Sequence, residues 1–514
     1  MSERATAEVG ADPSADGAAG AEHFRVAIIG AGFSGLGAAI RLKQAGMDDF
    51  VVLERAEDLG GTWRDNDYPG CCCDIPSHVY SYSFELNAEW TRGFASHAEI
   101  KTYMDRTAQK YGALPHMRFG HEVLELRWDA ERKHWAITSS SGRFTAQFVV
   151  VASGPLSDPI VPQIEGLGTF EGKTFHSAHW DHDHVLAGER VAVIGTGASA
   201  IQFVPAIQPQ VAELHLFQRT APWVVPRLDH QITRPEHWLL RHIPFAPAFV
   251  RSFLYWLLEI RVVLFRKPHW MKRVDALARA QLKRQVPDPE LRRKLTPGYI
   301  MGCKRILISD DYYPSLVQPN VELRTDGVEE IRPRSLVTGD GTEIEVDTII
   351  FGTGFHVIDA PIADKIHDGE GRTLAQVWNG TMEAYKGTTI AGFPNLFYML
   401  GPNTGLGHNS IIFMIESQLN YVIDCLRTME QTGAQSFEVR PEAVKRWNAK
   451  LHADMQGTVW TAGHCKSWYL DDTGRNATLW PGWTFVFRER TRRFDADAYV
   501  FEYERQPAAL AVAA

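Results

Sequence analysis

A glycine-rich turn between an apolar run and a helical pattern constrains the fold of this chain more than any other feature. The stretch FRVAIIGAGFSGLGAAIRLKQAG places Gly30, Gly32 and Gly35 directly after the apolar residues 26–29. A second apolar run, FVVLER, follows the helical pattern and ends in Glu54. A strand, a G-x-G-x-x-G turn, a helix and a strand ending in an acid form the βαβ unit that binds dinucleotides. The sequence therefore predicts an α/β fold with a parallel sheet.

The residues of this unit have distinct predicted roles. Gly30 forms the tight turn, Gly32 lets the backbone approach a pyrophosphate, and Gly35 lets the helix pack closely on the strand. The free N–H groups and the partial positive charge at the start of the helix favour an anion. Because Glu54 can accept hydrogen bonds from ribose hydroxyls, the first unit is predicted to bind FAD or NAD.

The same pattern recurs further along the chain in the form G-x-G-x-x-A. The stretch RVAVIGTGASAIQ places Gly195, Gly197 and Ala200 after a short apolar run. The next run, ELHLFQRT, ends in Gln218 and Arg219, where the first unit has an acid. A neutral amide beside an arginine accommodates a ribose 2′-phosphate that a carboxylate would repel. The second unit is therefore predicted to bind NADP.

Two later stretches predict that the chain passes between these units more than once. HWAITSSSGRFTAQFVVVASG alternates like a β-hairpin before it becomes apolar, and EIEVDTIIFGTGF repeats an apolar run before glycine. We therefore predict two Rossmann-type dinucleotide-binding domains, with the FAD domain discontinuous and a helical insertion at 228–300. The predicted segments are a disordered leader at 1–23, the first part of the FAD-binding domain at 24–160, the NADP-binding domain at 161–340, and a return to the FAD-binding domain with a C-terminal tail at 341–514.

Composition narrows the range of partners. The chain has 53 Lys and Arg against 62 Asp and Glu, a formal net charge of −9. A nucleic-acid binder would show a basic excess, so no nucleic-acid partner is predicted. Three of the six cysteines, Cys71, Cys72 and Cys73, are adjacent, which is a poor disulfide framework. Reduced thiols in a cytoplasmic protein are therefore expected. We find no sequence signal for an oligomeric state.

The most membrane-like stretch, at residues 243–265, reads IPFAPAFVRSFLYWLLEIRVVLF. Arg251, Glu259 and Arg261 interrupt it, whereas a spanning helix requires about 20 mostly uncharged apolar residues. The preferred interpretation is an amphipathic helix packed on a neighbouring domain. Contact with a membrane surface is the less favoured alternative.

Two dinucleotide units on one chain indicate that NADPH passes electrons to FAD, which then needs an acceptor. One possible acceptor is a thiol pair just after a G-G-T turn, as in the disulfide reductases. Here the stretch GGTWRDNDYPGCCCD places Trp63 where the first thiol would stand. Three consecutive cysteines cannot present a pair one helical turn apart on one face. Molecular oxygen is therefore the preferred acceptor.

With oxygen as the acceptor, the chain resembles the type I Baeyer–Villiger monooxygenases, within the class B flavin monooxygenases. One fingerprint of that family, [A/G]GxWxxxx[F/Y]P[G/M]xxxD, matches from Gly60 to Asp74. The resemblance covers roughly residues 24–500. It implies that NADPH, FAD and O2 convert a ketone into an ester or lactone through a C4a-peroxyflavin. The second fingerprint, FxGxxxHxxxW[P/D], matches at Phe170, Gly172, His176, Trp180 and Asp181.

The second fingerprint also accounts for a dense group of histidines. The stretch FEGKTFHSAHWDHDHV contains His176, His179, His182 and His184. The resemblance assigns His176 and Trp180 to a linker that couples domain motion to NADP binding. No functional metal site is predicted, and His182 and His184 are expected to be exposed to solvent.

The resemblance also gives weight to the stretch GCKRILISDDYY. It implies that Lys304 binds the NADP 2′-phosphate and that Arg305 lies over the flavin with Asp74 as its acidic partner. A peroxide anion needs a fixed cation, and arginine is always charged and presents a planar fork of donors. The predicted catalytic residues are therefore Arg305 and Asp74.

The remaining predictions concern contacts with the two cofactors. Thr62, Trp63 and Tyr80 are expected to line the flavin, and the backbone near Val123 to meet the adenine. A Gly-rich loop around Asn403 leads into a long apolar helix whose start is expected to face the flavin. The full set predicted to bind FAD and NADPH is Gly30, Gly32, Ser34, Gly35, Glu54, Thr62, Trp63, Asp74, Tyr80, Val123, Gly195, Thr196, Gly197, Ser199, Ala200, Gln202, Arg219, Thr220, Lys304, Arg305 and Asn403.

Two alternatives to this function stay open. A flavin monooxygenase could use the same cofactors on sulfur, nitrogen or alkyl substrates, and a non-catalytic NADPH sensor would keep the same glycine turns. The sensor would have no need of Asp74, Lys304 and Arg305 together. Side-chain identities do not name the ketone, because they do not reveal the shape of the pocket.

Overall fold

A computed structural model describes residues 21–463, 465, 467–471 and 473–504. The predicted disordered leader at 1–23 therefore lies almost entirely outside the described residues. The first strand begins at Glu22, two residues before the predicted start of the first domain.

Within the described residues the strands form two large sheets, a three-stranded sheet and two pairs. In chain order they are β1 (Glu22–Ile29), β2 (Phe50–Leu53), β3 (Met117–Arg118), β4 (Val123–Asp129), β5 (His134–Ser139), β6 (Gly142–Val151), β7 (Lys173–His176), β8 (Arg190–Ile194), β9 (Glu213–Phe217), β10 (Val224–Val225), β11 (Leu307–Ile308), β12 (Val321–Arg324), β13 (Val328–Arg332), β14 (Ser335–Thr338), β15 (Glu343–Glu345), β16 (Thr348–Phe351), β17 (Ile366–His367), β18 (Leu396–Tyr398), β19 (Ala434–Val439) and β20 (Tyr499–Tyr503).

The first sheet is built around β1, which pairs in parallel with β2 and β6. The apolar runs at the ends of β1 and β6 and throughout β2 are buried, as expected where helices cover both faces of a parallel sheet. With ten residues, β6 is long enough to pair with two strands along one of its edges. Its first half pairs with β5 in an antiparallel hairpin, and its second half pairs with β18 in parallel. The predicted hairpin is confirmed.

The second sheet has the order β12-β9-β8-β16-β7, and all of its strands are parallel. Its central strand β8 carries the second glycine turn at its carboxyl end. In open α/β sheets, ligands bind in the crevice outside the carboxyl ends of the strands, where the strand order reverses. Both glycine turns therefore lie at the edge of a sheet that suits a nucleotide.

The chain returns to the first sheet after it has completed the second, so the predicted discontinuity is present. The return begins later than predicted, because β16 at Thr348–Phe351 lies between β7 and β8 of the second sheet. The predicted boundary at 341 is therefore wrong, and the first strand after β16 to join the first sheet is β17. Periodicity alone predicted the strand, but its partners decide to which sheet it belongs.

Helices cover the two sheets and form the insertion. They are α1 (Phe33–Gln44), α2 (Thr62–Asp65), α3 (His97–Lys110), α4 (Ala200–Ile207), α5 (Arg234–His242), α6 (Ala246–Glu259), α7 (Val262–Arg266), α8 (Pro268–Gln285), α9 (Pro289–Lys294), α10 (Tyr312–Leu316), α11 (Leu374–Trp378), α12 (Ile411–Thr432), α13 (Pro441–Met455), α14 (Val459–Ala462) and α15 (Thr484–Arg490). Short 3-10 turns lie at Leu114–His116, Leu167–Thr169, Ser177–His179, Pro361–Lys365 and Ala496–Ala498.

The predicted helical insertion at 228–300 consists of α5 to α9. The membrane-like stretch at 243–265 divides into α6 and α7, and α6 packs against the first domain through Arg251. The Arg251 guanidinium donates to the carbonyl oxygens of His78, Val79 and Ser81. Within the described residues, none of the helices combines the length and the apolar character that crossing a bilayer requires.

The cysteines differ from the prediction at one pair. Cys303 and Cys465 form a disulfide with their Cα atoms 6.3 Å apart, whereas Cys71, Cys72, Cys73 and Cys425 are free thiols. The expectation that all thiols are reduced is therefore wrong for this pair. The two residues are 162 positions apart, so sequence spacing gave no signal for the bond. The disulfide ties the C-terminal tail to the segment that carries Lys304 and Arg305.

Thiol counting tests this bond directly. Without a reductant, the denatured protein should react at the four free cysteines and not at all six. Cys303→Ser should lower the free energy of unfolding by about 2–4 kcal/mol, because the disulfide restricts the unfolded chain. Cys72→Ser is the control, since that thiol is free and only half-buried. Six reactive thiols, or equal melting temperatures with and without reductant, would contradict the bond.

Candidate active site

The first glycine turn packs tightly on one side and is open on the other. A Cβ atom on Gly30 would lie 2.8 Å from the carbonyl oxygen of Ala152, and one on Gly35 would collide with the carbonyl of Gly30. A Cβ on Gly32 would approach no described atom more closely than 3.8 Å, at Gly61. The open side is therefore at Gly32, at the start of α1. That is where a pyrophosphate needs close approach to the backbone.

Glu54 is buried at the end of β2 and braces this turn. Its carboxylate accepts hydrogen bonds from the N–H of Ala31 at 2.7 Å and of Ala56 at 3.1 Å, and from the guanidinium of Arg64 at 3.0 Å. A carboxylate has about four acceptor sites, so a ribose hydroxyl can still be accommodated. Together with the open turn, this donor and acceptor set fits the dinucleotide part of FAD.

The second glycine turn repeats this arrangement. A Cβ on Gly195 would collide with the carbonyl of Gly352, which follows β16 just as Ala152 follows β6. A Cβ on Gly197 would have Gly352 as its nearest described neighbour, at 3.9 Å. Ser199 precedes α4, and Ala200 is its first residue. Two parallel units with the same steric pattern therefore stand on one chain.

This steric pattern predicts different outcomes for neighbouring glycines. Gly197→Ala should leave the protein folded and yellow, because the new methyl group meets open space. The methyl would occupy the approach of the pyrophosphate, so the Kd for NADPH should rise by about tenfold or more. Titration with NADPH measures the Kd, and Gly168→Ala is the control at another unobstructed glycine. Unchanged NADPH binding by Gly197→Ala would contradict a nucleotide site at this turn.

Gln202 joins the second unit to the stretch of the first fingerprint. Its amide oxygen accepts from the Tyr68 hydroxyl at 3.0 Å and from the N–H of Cys72 at 3.3 Å. Its amide nitrogen donates to the carbonyl of Cys72 at 3.0 Å. The Gln202 side chain therefore connects the two domains. Its predicted contact with NADP stays a prediction.

The residues predicted to line the flavin lie together beside the first turn. Trp63 in α2 donates from Nε1 to the hydroxyl of Tyr80 at 3.1 Å, and the two rings meet edge to face. Thr62 begins α2 directly after the Gly60–Gly61 turn. Val123 is farther along the chain, at the start of β4, and its carbonyl accepts from Lys365 at 3.0 Å.

Arg305 and Asp74 form the central ion pair of the candidate site. The Arg305 guanidinium donates to one oxygen of Asp74 from Nε at 2.9 Å and from Nη2 at 2.6 Å. Its third contact runs from Nη1 to the carbonyl oxygen of Leu406 at 2.8 Å. Three bonds from two distant segments hold the guanidinium in one orientation, as a preorganised cation requires.

The surroundings keep Arg305 charged. Burial lowers the pKa of Arg305, but the neighbouring Asp74 carboxylate and Tyr469 more than offset this, so the pKa is raised above its ordinary value. Tyr469 is buried beside this pair, and burial raises its pKa to about 12 although the positive charge of Arg305 opposes the rise. Its phenol is therefore protonated at neutral pH. The sequence analysis missed Tyr469, which lies about 160 residues from Arg305 in the C-terminal tail.

Arg219 and Lys304 bring two positive charges together at the second unit. Burial lowers the pKa of Lys304, and the positive charge of Arg219 lowers it further. Among the described residues neither side chain forms a salt bridge, so the pair has no carboxylate partner there. Two neighbouring cations of this kind fit the 2′-phosphate of NADP. The buried amide of Gln218 donates to the carbonyl of Lys294, and its place beside the 2′-phosphate stays a prediction.

Comparison with known proteins identifies this arrangement. The model of the flavin-binding monooxygenase-like family matches residues 23–369. A Baeyer–Villiger monooxygenase of Streptomyces coelicolor is 53% identical over 93% of this chain and 92% of its own length. Another from Pseudomonas aeruginosa is 51% identical over 94% of this chain and 92% of its own. The chain belongs to the flavin-binding monooxygenase family, in its Baeyer–Villiger group.

Solved structures agree with this assignment. A closed crystal structure of a cyclohexanone monooxygenase superposes with a TM-score of 0.85 at 26% identity, over 94% of this chain and 100% of that chain. The cyclohexanone monooxygenase of Rhodococcus sp. Phi1 bound to NADP+ gives a TM-score of 0.84 at 26% identity, with the same coverage. The predicted fold class and family are confirmed.

In this monooxygenase the second fingerprint belongs to the edge of the second sheet. A Cβ on Gly172 would collide with the carbonyl of Asp347 and crowd the ring of Phe170. Trp180 packs against Phe175 and Phe203, and Asp181 pairs with Lys173. The role of these residues in domain motion stays a prediction, because their contacts here are those of packing.

The histidines of this monooxygenase separate into different environments. Burial, together with the nearby His179, lowers the pKa of His176 to about 4, so its ring is neutral and Nδ1 accepts from the N–H of Ala178. His182 is exposed, as predicted. His184 is not, because its Nε2 contacts Glu189 and Thr348 across strands of the second sheet. Among the described residues no group of His, Cys, Asp or Glu is arranged to hold a metal ion.

The side chain of Asn403 is bonded within the protein. It is buried, its backbone has φ +58°, and its amide donates to the carbonyl oxygens of Asn476 and Leu479. The side chain therefore fastens the Gly-rich loop to the C-terminal tail, and a contact with the flavin remains a prediction. Since the same loop contains Leu406, whose carbonyl binds Arg305, Asn403 helps to position the Arg305 guanidinium.

An apolar cluster encloses the segment that carries Arg305. It combines residues from the insertion, such as Phe265 and Met271, with residues from the C-terminal tail, such as Trp460 and Tyr469. Its buried members include Trp223, Phe265, Met271, Met301, Met455, Trp460, Tyr469 and Leu479. Such surroundings exclude water and thereby strengthen the field of a fixed charge.

Proposed function

We propose that this protein is a FAD-containing, NADPH-dependent Baeyer–Villiger monooxygenase. It inserts one atom of O2 next to the carbonyl of a ketone and releases an ester or lactone. The observation that carries the proposal is the Arg305–Asp74 pair, held by Leu406 beside the flavin-lining stretch of the first unit. A non-catalytic sensor would have no use for a fixed, buried cation at this place.

The chain contributes position and charge to the reaction. When bound, FAD reduced by NADPH supplies the chemistry that activates oxygen and passes one oxygen atom to the ketone. Arg305 stabilises the negative charge that develops on oxygen, because its guanidinium is already oriented and needs no rearrangement. Asp74 sets that orientation through two charge-assisted hydrogen bonds. Tyr469, protonated at neutral pH, can donate a hydrogen bond within the same buried group.

The second unit binds NADPH, the reductant. Gly197 leaves room for the pyrophosphate, and Arg219 with Lys304 provides the positive charge for the 2′-phosphate. Lys304 and Arg305 are adjacent in the chain, so the residue that binds the nicotinamide cofactor and the residue that stabilises the oxidant share one segment. The disulfide at Cys303 anchors that segment to the tail.

The test is product analysis with the purified flavoprotein. NADPH, oxygen and a panel of linear, cyclic and aryl ketones plus an aryl methyl sulfide are supplied, and the products are identified by mass spectrometry. Esters or lactones are expected. Sulfoxide as the sole product would replace the proposal with a heteroatom-oxidising flavin monooxygenase. Hydrogen peroxide alone, with no oxygenated product from any substrate, would overturn the oxygenase assignment.

A further inference from the structure

The helical insertion carries an apolar surface that points away from the protein. In α6 the side chains of Phe249, Phe253, Trp256 and Leu257 are exposed, as is that of Ile260 directly after the helix. They recur every three or four residues and therefore lie on one face of the helix. Phe249 is 71% exposed and Phe253 61%, which is uncommon for a stripe of large apolar side chains on a soluble protein.

The charged residues of α6 lie on the opposite, inward face. Arg251 donates to three carbonyl oxygens of the first domain. Glu259 is fully buried and accepts from the amide of Asn409 and from the backbone and hydroxyl of Thr484. A surface helix ordinarily turns its apolar face inward. This helix has the inverse arrangement, so the outward apolar face is a feature that the packing maintains.

The segment before α6 extends the same surface. Trp238, Leu239 and Ile243 at the end of α5 are exposed, and Phe245 is 84% exposed between the two helices. Phe245 has φ +65°, in the left-handed region that bulky residues avoid. A large aromatic ring is thus held outward at the tip of a helix pair.

Basic residues accompany the apolar surface, and acids are nearly absent. Between residues 237 and 287 the only acids are Glu259, which is buried, and Asp275, which pairs with Arg279. This contrasts with the net charge of −9 for the whole chain. The exposed basic residues of this stretch are Arg241, Arg261, Arg266, Lys267, Lys272, Arg273, Arg279, Lys283 and Arg284. Of these, Arg241 pairs with Glu89 of the first domain, so the charge excess comes from the residues after α6.

We propose that the helical insertion from α5 to α8 docks on an anionic lipid surface, with the exposed apolar side chains of α6 toward the acyl chains and the exposed basic residues of the same segment toward the head groups. An interfacial helix buries an apolar stripe among the acyl chains while Lys and Arg attract anionic head groups, and Trp is suited to the boundary. The local excess of positive charge on an acidic protein supplies the matching sign. None of the described helices is built to span a bilayer, so the contact is with one leaflet.

The charge pattern favours lipid over a second copy of the chain. In a two-fold symmetric dimer the same patch meets itself, so the basic residues of one copy would face those of the other. Such like-charge juxtaposition disfavours association. A bilayer with anionic head groups presents the opposite charge and an apolar interior together.

Flotation with vesicles tests the proposal. The FAD-loaded protein is mixed with vesicles of phosphatidylcholine alone or of equimolar phosphatidylcholine and phosphatidylglycerol, at low and high salt. We expect it to float with the anionic vesicles and to be released by salt. Phe249→Ser combined with Phe253→Ser should weaken partition by about tenfold or more, since buried apolar area contributes to binding.

Matched variants separate the contributions. Lys272→Glu with Arg273→Glu should abolish binding to anionic vesicles, whereas Lys445→Glu with Arg446→Glu, an exposed pair on α13, should leave it unchanged. Absence of wild-type flotation with anionic vesicles at low salt would overturn the proposal. So would a dimer that the two Phe→Ser changes convert to a monomer while vesicle binding is absent, because the face would then serve self-association.

Discussion

Replacing Arg305 with alanine is expected to lower ester formation by about 10²–10³-fold or more, the cost of removing one preorganised donor from a developing anion. FAD should remain bound and NADPH should still reduce it, because neither step needs the guanidinium in the proposed role. The reduced flavin would then react with oxygen without transferring it, so hydrogen peroxide should replace the ester. Ester and peroxide, each measured per NADPH consumed, provide the readout.

Two further variants test how Arg305 acts. Arg305→Lys keeps the charge but loses the planar fork, so it should retain part of the activity. Asp74→Asn keeps the shape of the partner but removes its charge, and it should reduce ester yield less than Arg305→Ala, because Leu406 still holds one nitrogen. Undiminished ester formation by Arg305→Ala would remove the catalytic assignment.

The second large effect concerns the choice of nicotinamide cofactor. Arg219→Ala and Lys304→Ala should each raise KM for NADPH by about 10–100-fold, since a hydrogen bond to a charged group contributes about 1.5–3 kcal/mol. KM for NADH should change little, because NADH has no 2′-phosphate. The preference for NADPH should therefore fall with either change and almost disappear with both.

Steady-state NADPH oxidation and anaerobic flavin reduction measure this selectivity. Arg132→Ala is the control, because it removes an exposed arginine that pairs with Asp129 in the first domain. Equal increases in KM for NADH and NADPH would show that Arg219 and Lys304 support the fold of the second unit and do not bind the 2′-phosphate. A loss confined to Lys304 would assign the phosphate to that residue alone.

Local patterns predicted the parts of the fold that depend on neighbours in sequence. The positions of Gly30 and Gly195 could be predicted from the sequence, because a turn between a strand and a helix imposes backbone geometry within a few residues. The hairpin of β5 and β6 could be predicted for the same reason. The sheet to which β16 belongs could not be predicted, because its neighbours β7 and β8 lie more than 150 residues earlier in the chain.

In the candidate active site, too, some features were predicted from the sequence and others appear only in the tertiary structure. The resemblance to the family pointed to Arg305 and Asp74, and the structure brings the two together although they are 231 residues apart. Tyr469, the carbonyl of Leu406 and the disulfide partner Cys465 had no local signal. Each comes from the loop or tail that closes over the segment of Arg305, and a backbone carbonyl has no signature in sequence.

The sequence by itself therefore determined the two dinucleotide units, the family and the chemistry that the fingerprints imply, because those depend on residue types at short, fixed spacings. The tertiary structure alone decided what holds Arg305 in place, how Gln202 joins the two units, and which face of α6 points outward. Those features arise where distant segments meet. Burial and charge then act between residues whose separation along the chain carries no information about their contact.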